Sequence, residues 1–128
     1  MDYKELQMNL NDLSKNIRFF NEKKGFELTE AVIHRKLLLA ISEICEAQEE
    51  LRDGKRIDEV YYERANLGEM PDGNIKWGKK PCGFPVEIAD AIIRLLDICG
   101  AFNIDIEEVI DMKLAYNKTR PAKHGRKF

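Results

Sequence analysis

Histidine is almost missing from this chain: among 128 residues there are only His34 and His124. Neither stands three residues after a glutamate, which excludes the Glu-x-x-His ligation of di-iron bundles. The same scarcity leaves a serine or cysteine nucleophile without a suitable base. His34 falls on the far side of its helix from Glu43 and reads as structural. Cysteine is sparse and odd in number, at Cys45, Cys82 and Cys99, with no CxxC pair. That pattern excludes a disulfide framework and a zinc knuckle, and reads as reduced thiols in a cytoplasmic protein. Long apolar runs are absent too. The longest, Leu37-Leu38-Leu39-Ala40-Ile41, is far short of the ~18 residues of a membrane span. The start, Met1-Asp2-Tyr3-Lys4-Glu5, is charged with no apolar stretch behind it, so no signal peptide is expected. There is no repeat, no low-complexity segment and no strand alternation longer than a few residues.

What is present suffices for a packed core. Apolar residues make up 44% and charged residues 34%, which suits one ordinary domain over residues 1–128. The formal net charge is -2, but it is unevenly spread. Six of the 21 basic residues (Lys113, Lys118, Arg120, Lys123, Arg126, Lys127) lie after Met112, with no acid among them. The remainder holds 15 basic and 23 acidic side chains, a balance of -8. A basic tail on an acidic body suits nucleic-acid binding, a basic clamp on a polyanionic small molecule, or a solvated terminus.

Helical periodicity dominates. Leu6, Leu10, Leu13, Ile17 and Phe20 place one apolar face on a helix from about Asp2 to Lys24, ended by Gly25. Thr29 suits the N-cap of a second helix that runs to about Arg52 and stops at Asp53-Gly54. Its core side is Ile33, Leu37, Ile41, Ile44 and Leu51. The stretch from Asp53 to Pro85 gathers glycines, prolines and the pair Tyr61-Tyr62. It reads as an irregular connection with a short helix near Ile57 to Asn66. Pro85 opens a third helix to about Cys99, closed by Gly100. Asn103 or Asp105 caps a fourth, with Asp105 and Glu108 at capping-box spacing, running to about Arg120 before Pro121. The expected fold is all-α: four main helices and one long irregular connection between the second and third.

Two helices carry carboxylate stripes. On the second, Glu43, Glu46 and Glu50 lie within about 60° of one another, flanked by Leu39, Ala40 and Ala47. On the third, Glu87 and Asp90 share a face that Arg94 and Asp97 continue. Like charges at helical spacing repel, more so when desolvated. Two helices that each turn a carboxylate pair inward therefore call for a cation. Hard oxygen donors without histidine suit Mg²⁺ or Mn²⁺ better than Zn²⁺. On the fourth helix Lys113, Tyr116, Asn117 and Arg120 share one face, a pattern suited to a run of phosphates.

Together these stripes resemble the all-α nucleoside triphosphate pyrophosphatase superfamily of the MazG type. The matching segments are Lys36-Leu37-Leu38-Leu39 through Glu43-x-x-Glu46, then Gly83-Phe84-Pro85-Val86-Glu87-Ile88-Ala89-Asp90, then Lys113-x-x-Tyr116-Asn117-x-x-Arg120-Pro121. They span about residues 30 to 125. One departure stands out: Ser42 precedes Glu43 where the common pattern has a second glutamate. Some members that resemble deoxycytidine triphosphatases also lack that acid.

The resemblance implies hydrolysis of a nucleoside triphosphate between the α and β phosphates, giving monophosphate and pyrophosphate. It implies Mg²⁺, or Mn²⁺, on Glu43, Glu46, Glu87 and Asp90. It implies Lys113 and Arg120 on phosphate oxygens, and Tyr116 and Asn117 on sugar or phosphate. Glu50 has the helical phase of a proton acceptor. Trp77, Phe84 and Tyr61 are aromatic residues in or near the long connection, suited to stacking on the base or to anchoring that loop. The resemblance further implies a homodimer or homotetramer that completes the helical bundle. Canonical nucleotides and a modified one such as phosphoribosyl-ATP both fit. A reading from another class is a non-catalytic helical module that binds nucleic acid through the basic tail, Lys113 to Lys127.

Overall fold

A computed structural model describes residues 9–122. In chain order these form α1 (Leu10–Lys23), a 3-10 turn (Glu30–Val32), α2 (Ile33–Arg52), β1 (Tyr61–Glu69), β2 (Ile75–Cys82), α3 (Phe84–Ala101) and α4 (Ile106–Thr119). Leu6 and the expected helix start at Asp2 lie outside the described residues, as do Lys123, His124, Arg126 and Lys127. The chain divides into two compact units. One joins the segment up to Thr29 with the segment from Leu96 onward, and the other is Glu30–Leu95. Among the described residues no helix is long and apolar enough to cross a membrane.

The strands correct the all-α expectation. The connection between α2 and α3 is a two-stranded antiparallel hairpin, not an irregular loop. No short helix forms near Ile57 to Asn66: a turn at Ile57-Asp58 leads directly into β1. The reason lies in composition. A half-buried strand reveals itself by apolar residues at every second position. Here only Tyr61 and Ala65 of β1, and Gly78 and Cys82 of β2, are shielded at all. They are too small, too polar or too far apart to produce that rhythm. Pro71-Asp72-Gly73 is a turn tripeptide. Asp72 Oδ1 accepts from Asn74 N at 3.0 Å, and Met70 and Asn74 close the tip backbone to backbone at 2.7 Å.

In the first unit, α1 ends as its sequence suggests. Gly25 adopts φ 87°, its N–H bonds Glu22 O, and Phe26 N bonds Asn21 O, which caps the last carbonyls. Asp105 is the N-cap of α4 and accepts from Glu108 N at 3.1 Å. Asn11 ties α1 to that start: its amide donates to Asp105 Oδ1 at 2.8 Å and its carbonyl accepts from Ile106 N at 3.0 Å. Asp97 is buried on α3. It takes Asn21 Nδ2 at 2.9 Å and pairs with Arg18 Nε at 3.3 Å. Arg18 also donates to Phe26 O. Gly100 does not close α3, which continues through it to Ala101; Asn103, at φ 53°, makes the turn instead.

In the second unit, α2 starts at Ile33 behind the 3-10 turn that follows Thr29, with no side-chain cap of its own. Its buried positions are Ala40, Glu43 and Ala47, so a carboxylate sits on the inward stripe between two alanines. Gly83, at φ 124°, links β2 to α3. A Cβ there would meet the carbonyl of Glu59, so only glycine lets the end of the hairpin lie against that backbone.

One close approach in the first unit is testable. A Cβ on Gly100 would collide with the backbone carbonyl of Ser14 on α1. Alanine inside a helix normally gains about 1 kcal/mol over glycine. Gly100→Ala is expected to do the reverse, destabilising by at least about 1 kcal/mol through overpacking. A thermal melt checks it, and a raised Tm removes the assigned contact.

Candidate metal centre

Three of the four expected carboxylates converge. Oxygens of Glu43 and Glu46 from α2 and Glu87 from α3 lie within 4.8 Å of one another. Glu43 is buried, Glu87 half-buried and Glu46 exposed. The cluster therefore opens to solvent on the Glu46 side. Helical geometry explains it. A spacing of three places Glu43 and Glu46 on neighbouring turns of one face, and Glu87 sits in the first turn of α3. Asp90 is one turn further along α3. It stands outside the triad but is close enough for the Glu43 charge to act on it.

Arg94 is the cation that holds this arrangement. Its Nε donates to Glu43 Oε1 at 3.0 Å. Burial opposes the charged form of Glu43. The Arg94 hydrogen bond, those with the Glu87 and Glu46 carboxyls and the Arg94 charge outweigh it, and Glu43 stays below the usual carboxylate range. Glu87 goes the other way. Burial first, and then its contacts with the carboxylates of Glu43 and Glu46, push it up to about 8. Glu87 thus keeps its proton at neutral pH while Glu43 is ionised, and one acid is shared among crowded oxygens. Asp90 is raised by burial and by Glu43, with Arg94 and Lys80 opposing.

One oxygen in the cluster has no partner. Glu87 Oε2 is buried and accepts no hydrogen bond. A cation bound there would displace the Glu87 proton and give that oxygen a partner. The donor set is oxygen alone, which fits Mg²⁺ or Mn²⁺.

The other expected site residues fall elsewhere. Glu50 does not join the triad; both its oxygens accept the Tyr61 hydroxyl, at 2.9 and 2.8 Å. That bond, with burial, raises the Tyr61 phenol well above its ordinary range. Glu50 and Tyr61 together anchor β1 to α2. Trp77 lies on β2 under the Arg64 guanidinium, 3.9 Å from the ring centroid. It faces away from the side of the hairpin that carries Tyr61 and Lys80. Phe84 is half-buried at the start of α3.

The basic stripe forms on α4, in the first unit. Lys113 Nζ is 4.8 Å and the Arg120 guanidinium carbon 5.7 Å from the centroid of the Tyr116 ring. Tyr116 thus gathers both cations. Asn117 is half-buried beside it, and its backbone carbonyl accepts the backbone N–H of Arg120 at the end of the helix. Of the residues that continue the α3 stripe, Arg94 serves the carboxylates and Asp97 serves α1 in the other unit. Arg94 had a legible signal, being one turn after Asp90. The hairpin's Lys80, whose charge acts on Asp90, had none, because its placement depends on strand register. No family model, no curated protein and no solved structure matches the chain.

The raised carboxyl has a measurable consequence. A group whose folded pKa exceeds its unfolded value holds extra protons when folded, so stability falls as pH rises between the two values. For Glu87 that window runs from the ordinary carboxylate range up to about 8. Asp90, also raised, adds in the same direction. In EDTA, the urea midpoint is expected to drop between about pH 5 and pH 8, and Glu87→Gln to flatten that drop. An unchanged slope in the variant dismisses the shared-proton arrangement.

Proposed function

We propose that the chain is a cytoplasmic, Mg²⁺-dependent (Mn²⁺ also accepted) nucleoside triphosphate pyrophosphohydrolase. It attacks a ribo- or deoxyribonucleoside triphosphate with water and releases the monophosphate and pyrophosphate. The observation that carries this reading is the convergence of Glu43, Glu46 and Glu87 with one oxygen, Glu87 Oε2, buried and unpartnered.

In this reading Glu43, Glu46 and Glu87 hold the metal, with Asp90 as the fourth oxygen donor. When bound, the divalent ion neutralises phosphate charge and lowers the pKa of water. Arg94 keeps Glu43 ionised and aimed. Glu50, one turn beyond Glu46 and outside the four ligands, would take the proton of the attacking water, its carboxylate oriented by the Tyr61 hydroxyl. The basic face of α4, with Lys113 and Arg120, is a separate element of this reading, suited by its charge to phosphate oxygens. Tyr116 orients the two cations, and Asn117 contacts sugar or phosphate.

The same reading includes a second copy of the chain. Among the described residues no large side chain is fully buried, and Leu38, Ile41 and Ile44 of α2 and Ile92, Ile93 and Leu95 of α3 are exposed. Apolar faces this extensive on consecutive helices of one unit are the mark of an interface. A homodimer or homotetramer covers them.

The direct test is a panel of canonical and modified nucleotides with Mg²⁺, reading pyrophosphate against orthophosphate. Pyrophosphate is the expected first product; orthophosphate moves the attack to another phosphorus and defeats the proposal. Glu43→Gln and Asp90→Asn are expected to slow turnover by roughly a hundredfold or more while circular dichroism retains the helices. Mg²⁺ without nucleotide is expected to raise the Tm of the native chain and not that of Glu43→Gln. Wild-type rates in both variants remove the metal assignment. Light scattering at micromolar concentration is expected to report a multiple of the 14.9 kDa chain; a clean monomer contradicts the second-copy reading.

A further inference from the structure

The two faces of the hairpin differ in kind. One carries Tyr61, Glu63 and Ala65 on β1 with Cys82, Lys80 and Gly78 as their partners on β2. It turns toward the helices: Tyr61 bonds Glu50, Cys82 is buried and the Lys80 charge acts on Asp90. Its directly opposed charges, Glu63 and Lys80, have opposite signs. The other face carries Tyr62, Arg64 and Asn66 with Pro81, Lys79 and Trp77 as partners. All six are exposed and none is an acid, in a chain with 23 acidic side chains. Its directly opposed charges, Arg64 and Lys79, have the same sign.

Like charges facing each other across a strand pair destabilise it, and a two-stranded sheet has little stability to spare. An anion over the pair reverses that term. Aromatic rings stand on both sides of the pair, Tyr62 at 63% and Trp77 at 49% exposure. Four positions of register separate them, about 13 Å along the strand. The Arg64 guanidinium carbon stands 3.9 Å from the Trp77 centroid, so the outer surface there is a cation over a ring.

We infer that this face binds single-stranded nucleic acid. One base cannot cover two rings about 13 Å apart. Filling both takes successive nucleotides, and the phosphates between them fall over Arg64 and Lys79. Bases stack on Tyr62 and on the Arg64–Trp77 layer, an arrangement tolerant of sequence. Asn66, opposite Trp77, offers an amide donor and acceptor to a base edge. A polyanion without bases leaves both rings unused, and so does an acidic surface of a second copy. The site uses the hairpin face turned away from the carboxylates and is independent of the proposed hydrolysis.

Trp77 is the only tryptophan, so its emission reports on this face. The full-length protein in EDTA is titrated with a short oligothymidine, following tryptophan emission, and with its fluorescein-labelled form, following anisotropy. Saturable quenching is expected, with affinity that falls as salt rises. Arg64→Gln with Lys79→Gln is expected to weaken binding about tenfold or more and to lower the salt slope by about two, one for each lost phosphate contact. Tyr62→Leu is expected to weaken it by roughly tenfold, while Tyr62→Phe, which retains the ring and the fold, keeps it. Three results overturn the inference. One is heparin binding as tightly as oligothymidine with no quenching by either. Another is loss of binding in Lys123→Ala/Arg126→Ala/Lys127→Ala while the hairpin variants bind normally, which assigns it to the tail. The last is hairpin variants that change the light-scattering mass and leave oligothymidine binding intact, which assigns the face to a second copy.

Discussion

Electrostatic crowding on the inward side of α2 is the constraint around which the second unit is arranged. Glu43 occupies a buried position between Ala40 and Ala47, where an aliphatic side chain would ordinarily sit. Burying a carboxylate there is unfavourable unless it is paired and hydrogen-bonded. Arg94 does both from the next helix. Hydrogen bonds with Glu87 and Glu46 add to that pairing, and the strain of crowding falls on Glu87, whose carboxyl is pushed up to about 8. An interior tuned for stability alone would place leucine at such a position. The convergence of these carboxylates from two helices motivates the proposed hydrolase reading more than any single Glu-x-x-Glu spacing does.

Helices and carboxylates were legible in the sequence for the same reason: both are local. The period of 3.6 that aligns Leu10, Leu13 and Ile17 also aligns Glu43 with Glu46, and caps such as Gly25 and Asp105 act over three or four residues. What resisted was everything set by pairing between distant segments. The hairpin was missed because its strands are shielded at widely spaced positions and wet on both faces, so no alternation marks them. The engagement of Glu50 by Tyr61 was missed with it. Helical phase put Glu50 beside the triad, but phase knows nothing of a tyrosine 11 residues later whose strand returns to that helix. Gly100 misled differently. Its absent side chain serves the approach of α1 and not the end of α3.

The arginines illustrate the division further. Arg94 and Arg18 each pair with a carboxylate buried away from water, Glu43 in one unit and Asp97 in the other. On sequence alone Arg94 and Asp97 read as one continuing stripe, three residues apart on α3. They serve different units, because α3 contributes its first turns to one and its last to the other. A helical wheel treats a helix as uniform along its axis, whereas this one changes neighbours midway.

The junction at Gly83 has a consequence for how the chain tolerates change in length. The hairpin enters from α2 through Glu59, and Gly83 packs on that same residue's backbone as the chain leaves for α3. The base of the hairpin is therefore pinned while its tip at Met70–Asn74 is free. Residues added at the tip would extend a finger into solvent and leave the phase of α3 untouched. A single residue added in the first turn of α3, before Glu87, would turn Glu87 by about 100° relative to the rest of that helix, carrying it off Glu43 and Glu46. A change in length is absorbed at the tip of this hairpin and not at its junction with α3.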